Sequence, residues 1–385
     1  MKKQLLGAAL AVTVAFPALA DVSISGDSFI RFADRSYTSL ADDSGYSSVW
    51  HRVRLAVKGT SGNTTVHARF RNDGNTRVDD GTDTTKDALL TDHLYITTKI
   101  GNINIKAGDW WQNIGTNAVW DPVKDIEKGV QISTVVNGWT LAAISSRHKD
   151  SSSSDNMVFK IAGKINPNWS LELVKVNDFD VATKTTYGSA KDEDDNGFYN
   201  LMVKGSVEGF DITAETLRSS VSDADMNLLK LSKNINGIKW TAFWQTAQKN
   251  LYSVYDDSGA TGATKLNLSI WGQSGSYNGD LALFDLNQNA SPGEDGTSMV
   301  ALQAKMKYAG LDFQVSVGEY DANQDSDEVV KNAGTACDTT AYCDETSLFK
   351  DIVVTYPLSK GSSLRATYGD WAGEQSMGAR IDVKF

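Results

Sequence analysis

The sequence predicts an all-β chain closed into a transmembrane antiparallel up-and-down β-barrel, with an even strand number of roughly 16 to 20. Three observations predict it. An export segment opens the chain and no apolar helical span follows it, the hydrophobic period is two along most of the length, and short turns alternate with long polar loops.

The export segment comes first. Lys2 and Lys3 form a basic start, Leu5 to Phe16 is small and apolar, and Ala18-Leu19-Ala20 supplies a small-residue cleavage pattern, so residues 1–20 read as a signal peptide and 21–385 as one barrel domain. An uncleaved N-terminal anchor is the alternative, but this stretch is shorter than the roughly 20 apolar residues of a spanning helix. Loss of Lys2 and Lys3 takes the formal net charge from -11 to -13. An acidic chain without a long Lys/Arg run has no evident footprint for nucleic acid. With 10 Trp, 13 Tyr and 13 Phe it is too aromatic for a disordered chain, and with 2 Cys too poor for a disulfide scaffold. In an oxidising compartment Cys337 and Cys343 would close one short loop.

The strands follow from alternation. Val49, Val53, Leu55 and Val57 oppose Trp50, Arg52, Arg54 and Lys58, and Val66, Ala68 and Phe70 oppose His67, Arg69 and Arg71. The same pattern recurs at 157–161, 300–307, 311–317 and 379–385. A soluble sandwich also has one apolar and one polar face, so the connections must decide. Short connections fall at Gly59 to Asn63, Gly101-Asn102, Asn137-Gly138, Pro167-Asn168, Glu208-Gly209, Asn236-Gly237, Asn278-Gly279, Ala309-Gly310 and Ser359 to Ser362, with a long polar loop between each pair. Taken literally this spacing predicts about twenty strands, and even parity puts both termini on the short-turn side. Trp139, Trp169, Phe210, Trp240, Tyr277, Tyr308, Phe313, Tyr356 and Phe385 cluster at the short-turn ends, as an interfacial aromatic girdle does.

With its export signal, the start Asp21-Val22-Ser23-Ile24-Ser25-Gly26, the alternating strands and a last strand ending in Phe385, the chain resembles the Gram-negative general porins over its whole mature length. The resemblance implies a Gram-negative outer-membrane location, a homotrimer in outer-membrane lipid and lipopolysaccharide, and passive diffusion of ions and small hydrophilic solutes. It implies a terminal Phe read by the insertion machinery, and a strand number of sixteen in general members or eighteen in specific relatives. A substrate-specific channel, a plugged structural or adhesive barrel and a soluble exported sandwich are the alternatives.

The third long loop runs from Gly108-Asp109-Trp110-Trp111 through Asp121-Pro122-Val123-Lys124-Asp125-Ile126-Glu127-Lys128-Gly129. Asp121 suits an N-cap, Pro122 a first helical position and Gly129 a terminus, so a short helix is expected there. In porins this loop commonly folds into the barrel, which would set Asp109, Asp121, Asp125 and Glu127 against a basic wall. That wall comprises Arg31, Arg52, Arg54, Arg69 and Arg71 of the first strands and Arg365 and Arg380 of the last two, which closure brings together. Opposite charges across a wet constriction make a transverse field that favours small polar solutes; arginines that are simply solvated are the bland reading. No cofactor is expected. Asp321, Asn323, Asp325 and Asp327 alternate like the start of a calcium loop but lack its Gly and distal Glu, so a solvated loop is the default there and a calcium or lipopolysaccharide-bridging site the alternative. The chain is not expected to be an enzyme: no His is followed two residues later by Ser, and there is no Gly-x-Ser-x-Gly elbow, phosphate loop or zinc spacing.

Overall fold

In the computed structural model the described residues are 21–36, 46–76, 90–110, 112, 114–116, 126–147, 155–177, 198–219, 225–247, 297–321, 347–371 and 374–385. They form eighteen strands: β1 (Asp21–Ser36), β2 (Tyr46–Ser61), β3 (Thr64–Thr76), β4 (Leu90–Ile100), β5 (Ile103–Trp110), β6 (Ile126–Val136), β7 (Trp139–Arg147), β8 (Asp155–Asn166) and β9 (Trp169–Asn177) make one half. The other half is β10 (Phe198–Val207), β11 (Phe210–Ser219), β12 (Asp225–Ile235), β13 (Ile238–Ala247), β14 (Thr297–Tyr308), β15 (Leu311–Asp321), β16 (Ser347–Ser359), β17 (Ser362–Trp371) and β18 (Glu374–Lys384). Each strand pairs antiparallel with its sequence neighbours, and β1 pairs with β18, so a single sheet closes on itself. The closing seam is tied at the C-terminus, where the Gly26 and Phe385 backbones exchange hydrogen bonds of 2.8 and 3.0 Å. A side chain at Gly26 would collide with the Phe385 ring, so the glycine makes room for it.

The period of two decides the two faces. Ile96, Ile132, Phe159, Val300 and Val317 lie exposed on the outer face, where lipid would cover them. The girdle aromatics share that face and sit at the short-turn ends; Tyr277 lies outside the described residues. Four of the short turns, at Asn137-Gly138, Glu208-Gly209, Asn236-Gly237 and Ala309-Gly310, have positive φ at both residues. This is the hand that matches the twist of flanking strands.

Two expectations change. Eighteen strands lie within the expected even range of 16 to 20, but not at the twenty of the literal spacing, because β13 hydrogen-bonds directly to β14, from Lys239 opposite Lys305 to Ala247 opposite Thr297. No strand pair stands between them in the barrel, and the hairpin expected around Asn278-Gly279 falls outside the described residues. The helix expected over 121–129 is not formed at its far end, because Ile126 pairs with Trp110 and Gly129 with Gly108 in the β5–β6 ladder. Tertiary pairing overrides the local capping signal there. The signal segment, Asp121, Asp125, Cys337, Cys343, Asn323, Asp325 and Asp327 lie outside the described residues.

Candidate functional site: the barrel lumen

The basic wall is assembled as closure requires. Arg365 stands opposite Arg380, Arg380 opposite Arg31, and Arg54 opposite Arg71, so the seven arginines run continuously over β17, β18, β1, β2 and β3. Adjacent like charges need compensation, and the strands supply it locally. Arg54 bonds Asp27 at 2.8 Å and Arg380 bonds Asp382 at 2.5 Å. Arg69 pairs with Asp92, which also lies 3.5 Å from Arg71. Phe29, buried on β1, is sandwiched by guanidinium groups, with Arg380 4.0 Å and Arg52 5.5 Å from its ring centre. The ring face offers the almost wholly covered Arg52 a favourable cation–π contact.

Asp92 is placed by an irregularity. Arg69 pairs with His93 and Phe70 with Thr91, which leaves Asp92 as the extra residue of a β-bulge in β4. A bulge re-aims a side chain without ending the strand, and here it delivers a fully buried carboxylate to two arginines. The acids expected from the third loop stand differently. Asp109 is opposite Leu94, an outer-face residue, and is passed over in the β5–β6 ladder. Glu127 lies in β6, and Asp121 and Asp125 are outside the described residues.

The third loop nonetheless enters the lumen. From Trp110 at the end of β5 the chain needs only five residues to reach Gly115, whose N–H donates to Glu172 of β9 at 3.1 Å. Thr116 follows, with its N–H 2.9 Å from Glu215 of β11 and its hydroxyl bonded to the same carboxylate. Three to five strands of wall separate β5 from these partners, so the segment cuts across the interior as a chord. Glu215 is held in turn by the Asn200 amide at 2.6 Å, and Glu172 by Lys160 at 2.6 Å. Gly115 has φ +59, and a β-carbon there would lie 1.7 Å from a Glu215 oxygen, so glycine alone fits.

Sequence reasoning assigned a polar inner face to every strand, but the docking arc departs from it. Val174 of β9, Met202 of β10, Leu217 of β11 and Met226 and Leu228 of β12 share one face with Glu172 and Glu215 and are buried. Ile114, next to Gly115 in the chain, is 1% exposed. An inward apolar arc needs cover, and the loop enters over it. The signal was readable in the doubled Leu228-Leu229 and in Leu171 to Val176, where both faces are apolar.

Lysines line the rest of the interior: Lys204 on β10, Lys230 on β12, Lys239 on β13 and Lys305 on β14. Lys230 and Lys305 each feel the repulsion of neighbouring lysines, and neither has an ion-pair partner among the described residues. Lys106 on β5 lies 4.3 Å from the Tyr95 ring centre and 4.4 Å from that of Trp110. No group of three or more potential metal ligands occurs among the described residues.

No family model matches the sequence, and no curated protein matches it. Solved structures do. Pseudomonas aeruginosa OpdQ superposes with a TM-score of 0.62 at 12% identity, covering 95% of this chain and 98% of that one. Acinetobacter baumannii OccAB3 gives 0.60 at 11%, covering 95% and 99%. Pseudomonas aeruginosa OccK2 (OpdF), solved in complex with glucuronate, gives 0.59 at 12%, covering 95% and 96%. The likeness is one of fold. The chain shares with these structures a closed eighteen-stranded antiparallel barrel.

Proposed function

We propose that the protein is an outer-membrane diffusion channel for small hydrophilic solutes that prefers anions. One observation carries this reading: among the described residues, arginines on β17 to β3 and lysines on β10 to β14 place cations on both sides of the lumen, while Asp27, Asp92, Glu172, Asp211, Asp312 and Asp382 are engaged in ion pairs. Fixed cations focus a positive potential inside a narrow wet passage, which raises the local concentration of anions and repels cations. The test is a planar-bilayer recording under a KCl gradient. Discrete steps with a reversal potential of the sign for chloride are expected, and the Arg54→Glu, Arg71→Glu variant should move it toward potassium. A folded preparation that never conducts, or one that prefers potassium, overturns the reading.

A substrate-specific channel is the second reading, favoured by eighteen strands and by the similar OccK2 structure with its bound glucuronate. Saturable block of current by one carboxylate and not its analogues would select it. Cleavage after Ala20, residence in the Gram-negative outer membrane beside lipopolysaccharide, and a homotrimer belong to the same proposal. Lys175, Tyr199 and Arg218 support contact with anionic lipid, being aligned opposite one another on the outer face near the long-loop end.

A further inference from the structure

A recess of about 620 Å³ opens in the wall near the short-turn end, where β14 to β17 meet the turn at Gly237. Two adjacent rows of the sheet line it. Lys305 stands opposite Gln314, and Gln314 opposite Val353. One step nearer the turns, Thr355 is flanked by Asp312 and Arg365. The recess thus has a cation at each end, Lys305 and Arg365, with the Gln314 amide and Thr355 hydroxyl between them and Val353 as an apolar floor.

Three cations, Lys305, Lys307 and Arg365, and one acid, Asp312, are among the residues that line it. Asp312 is engaged by Lys307 at 3.1 Å. Arg365 feels Arg380 as well as Asp382, and Lys305 feels Lys239 as well as Asp351. Three β-sheet spacings separate the Lys305 and Arg365 strands, on the order of 14 Å, and both side chains are long enough to converge on one small anion. The size matches pockets for small organic solutes, which fall at roughly 300–1,000 Å³. A guanidinium presents parallel donors to an oxyanion, an ammonium adds a point charge, and an amide with a hydroxyl can bond neutral oxygens.

We propose that this recess is a binding site for small organic oxyanions, a resting station at the short-turn end of the channel; the inference rests on the channel reading above. A solute leaving the lumen there meets Lys305 and Arg365 together. Gln314 and Thr355 favour anions that also carry hydroxyls, such as hydroxy acids, over bare ones.

Succinate, malate and inorganic phosphate, each added separately to the short-turn side of the reconstituted channel, test it, with phosphate telling a carboxylate site from a general oxyanion site. Saturable block of the KCl current is expected, tighter for malate than for succinate. The Lys305→Gln, Arg365→Gln variant should raise the half-blocking concentration at least tenfold, roughly what one lost charge-assisted hydrogen bond costs. Lys204→Gln, Lys230→Gln removes equal charge outside the recess and should raise it only about twofold. The Gln314→Leu, Thr355→Val variant keeps every charge and should abolish the preference for malate. Equal shifts from the two lysine-containing pairs, or malate and succinate blocking alike in wild type, overturn the site. A channel that conducts no KCl fails the channel reading instead, and calorimetry of malate on the detergent-folded protein then decides the site: heat of binding supports it and none overturns it.

Discussion

Gly115→Ala should undock the third loop. At Gly115 the new β-carbon would stand 1.7 Å from Glu215 Oε1 and 2.9 Å from Asn200 Oδ1, so the backbone or the carboxylate must give way by more than about 1 Å before ordinary contact is restored. Gly115 donates to Glu172 at 3.1 Å and Thr116 to Glu215 at 2.9 Å, and a displacement of that size takes both beyond hydrogen-bond range. Two or three charge-assisted bonds are lost, about 2–4 kcal/mol once water in the lumen replaces part of each, and alanine at φ +59 adds about 1 kcal/mol. A docked loop favoured a few hundred-fold would then be docked only part of the time. Single-channel recording reads this directly: the variant should show larger, noisier openings and a broadened set of sublevels. Thr116→Val, which spares the backbone bonds, should show a milder form. Gly115→Ala channels with wild-type conductance and noise would refute the latch.

Two further outcomes concern the wall. Asp92→Asn removes the carboxylate that serves both Arg69 and Arg71 at a fully buried position, so it should cost on the order of 3 kcal/mol in urea unfolding from lipid and increase the preference for chloride. Unchanged values of both would contradict the pairing. Ala309 holds φ +50 in a short turn, a conformation asparagine tolerates better, so Ala309→Asn should raise unfolding stability by about 0.5 kcal/mol with no change in conductance.

The wall was legible in the sequence because its grammar is regular. On β2 and β3 the outward positions carry Val53, Leu55, Val57, Val66, Ala68 and Phe70, with His51 and Asn72 interrupting the run toward the long-loop end, and the arginines between them point inward; closure follows from the final alternating strand reaching β1. Asp92 was not legible, since strict alternation assigns no inward role to consecutive Asp92 and His93, and only the bulge against Arg69 and Phe70 provides one. The count of twenty failed for a related reason. Asn278-Gly279 carries the composition of a hairpin turn, and no local signal reveals that β13 already has β14 as its partner.

The apolar arc of β9 to β12 follows a different logic. A lumen lined by polar residues throughout would hold a loop only by hydrogen bonds that water can replace. By placing Val174, Met202, Leu217 and Leu228 on the inner face beside Glu172 and Glu215, the chain couples burial to charge-assisted bonding, and the loop is held where water competes least. That surface is no longer available to solutes. On the channel reading proposed above, docking the loop on the apolar arc leaves solutes to meet, among the described residues, the arginines of β17 to β3 and the lysines of β13 and β14.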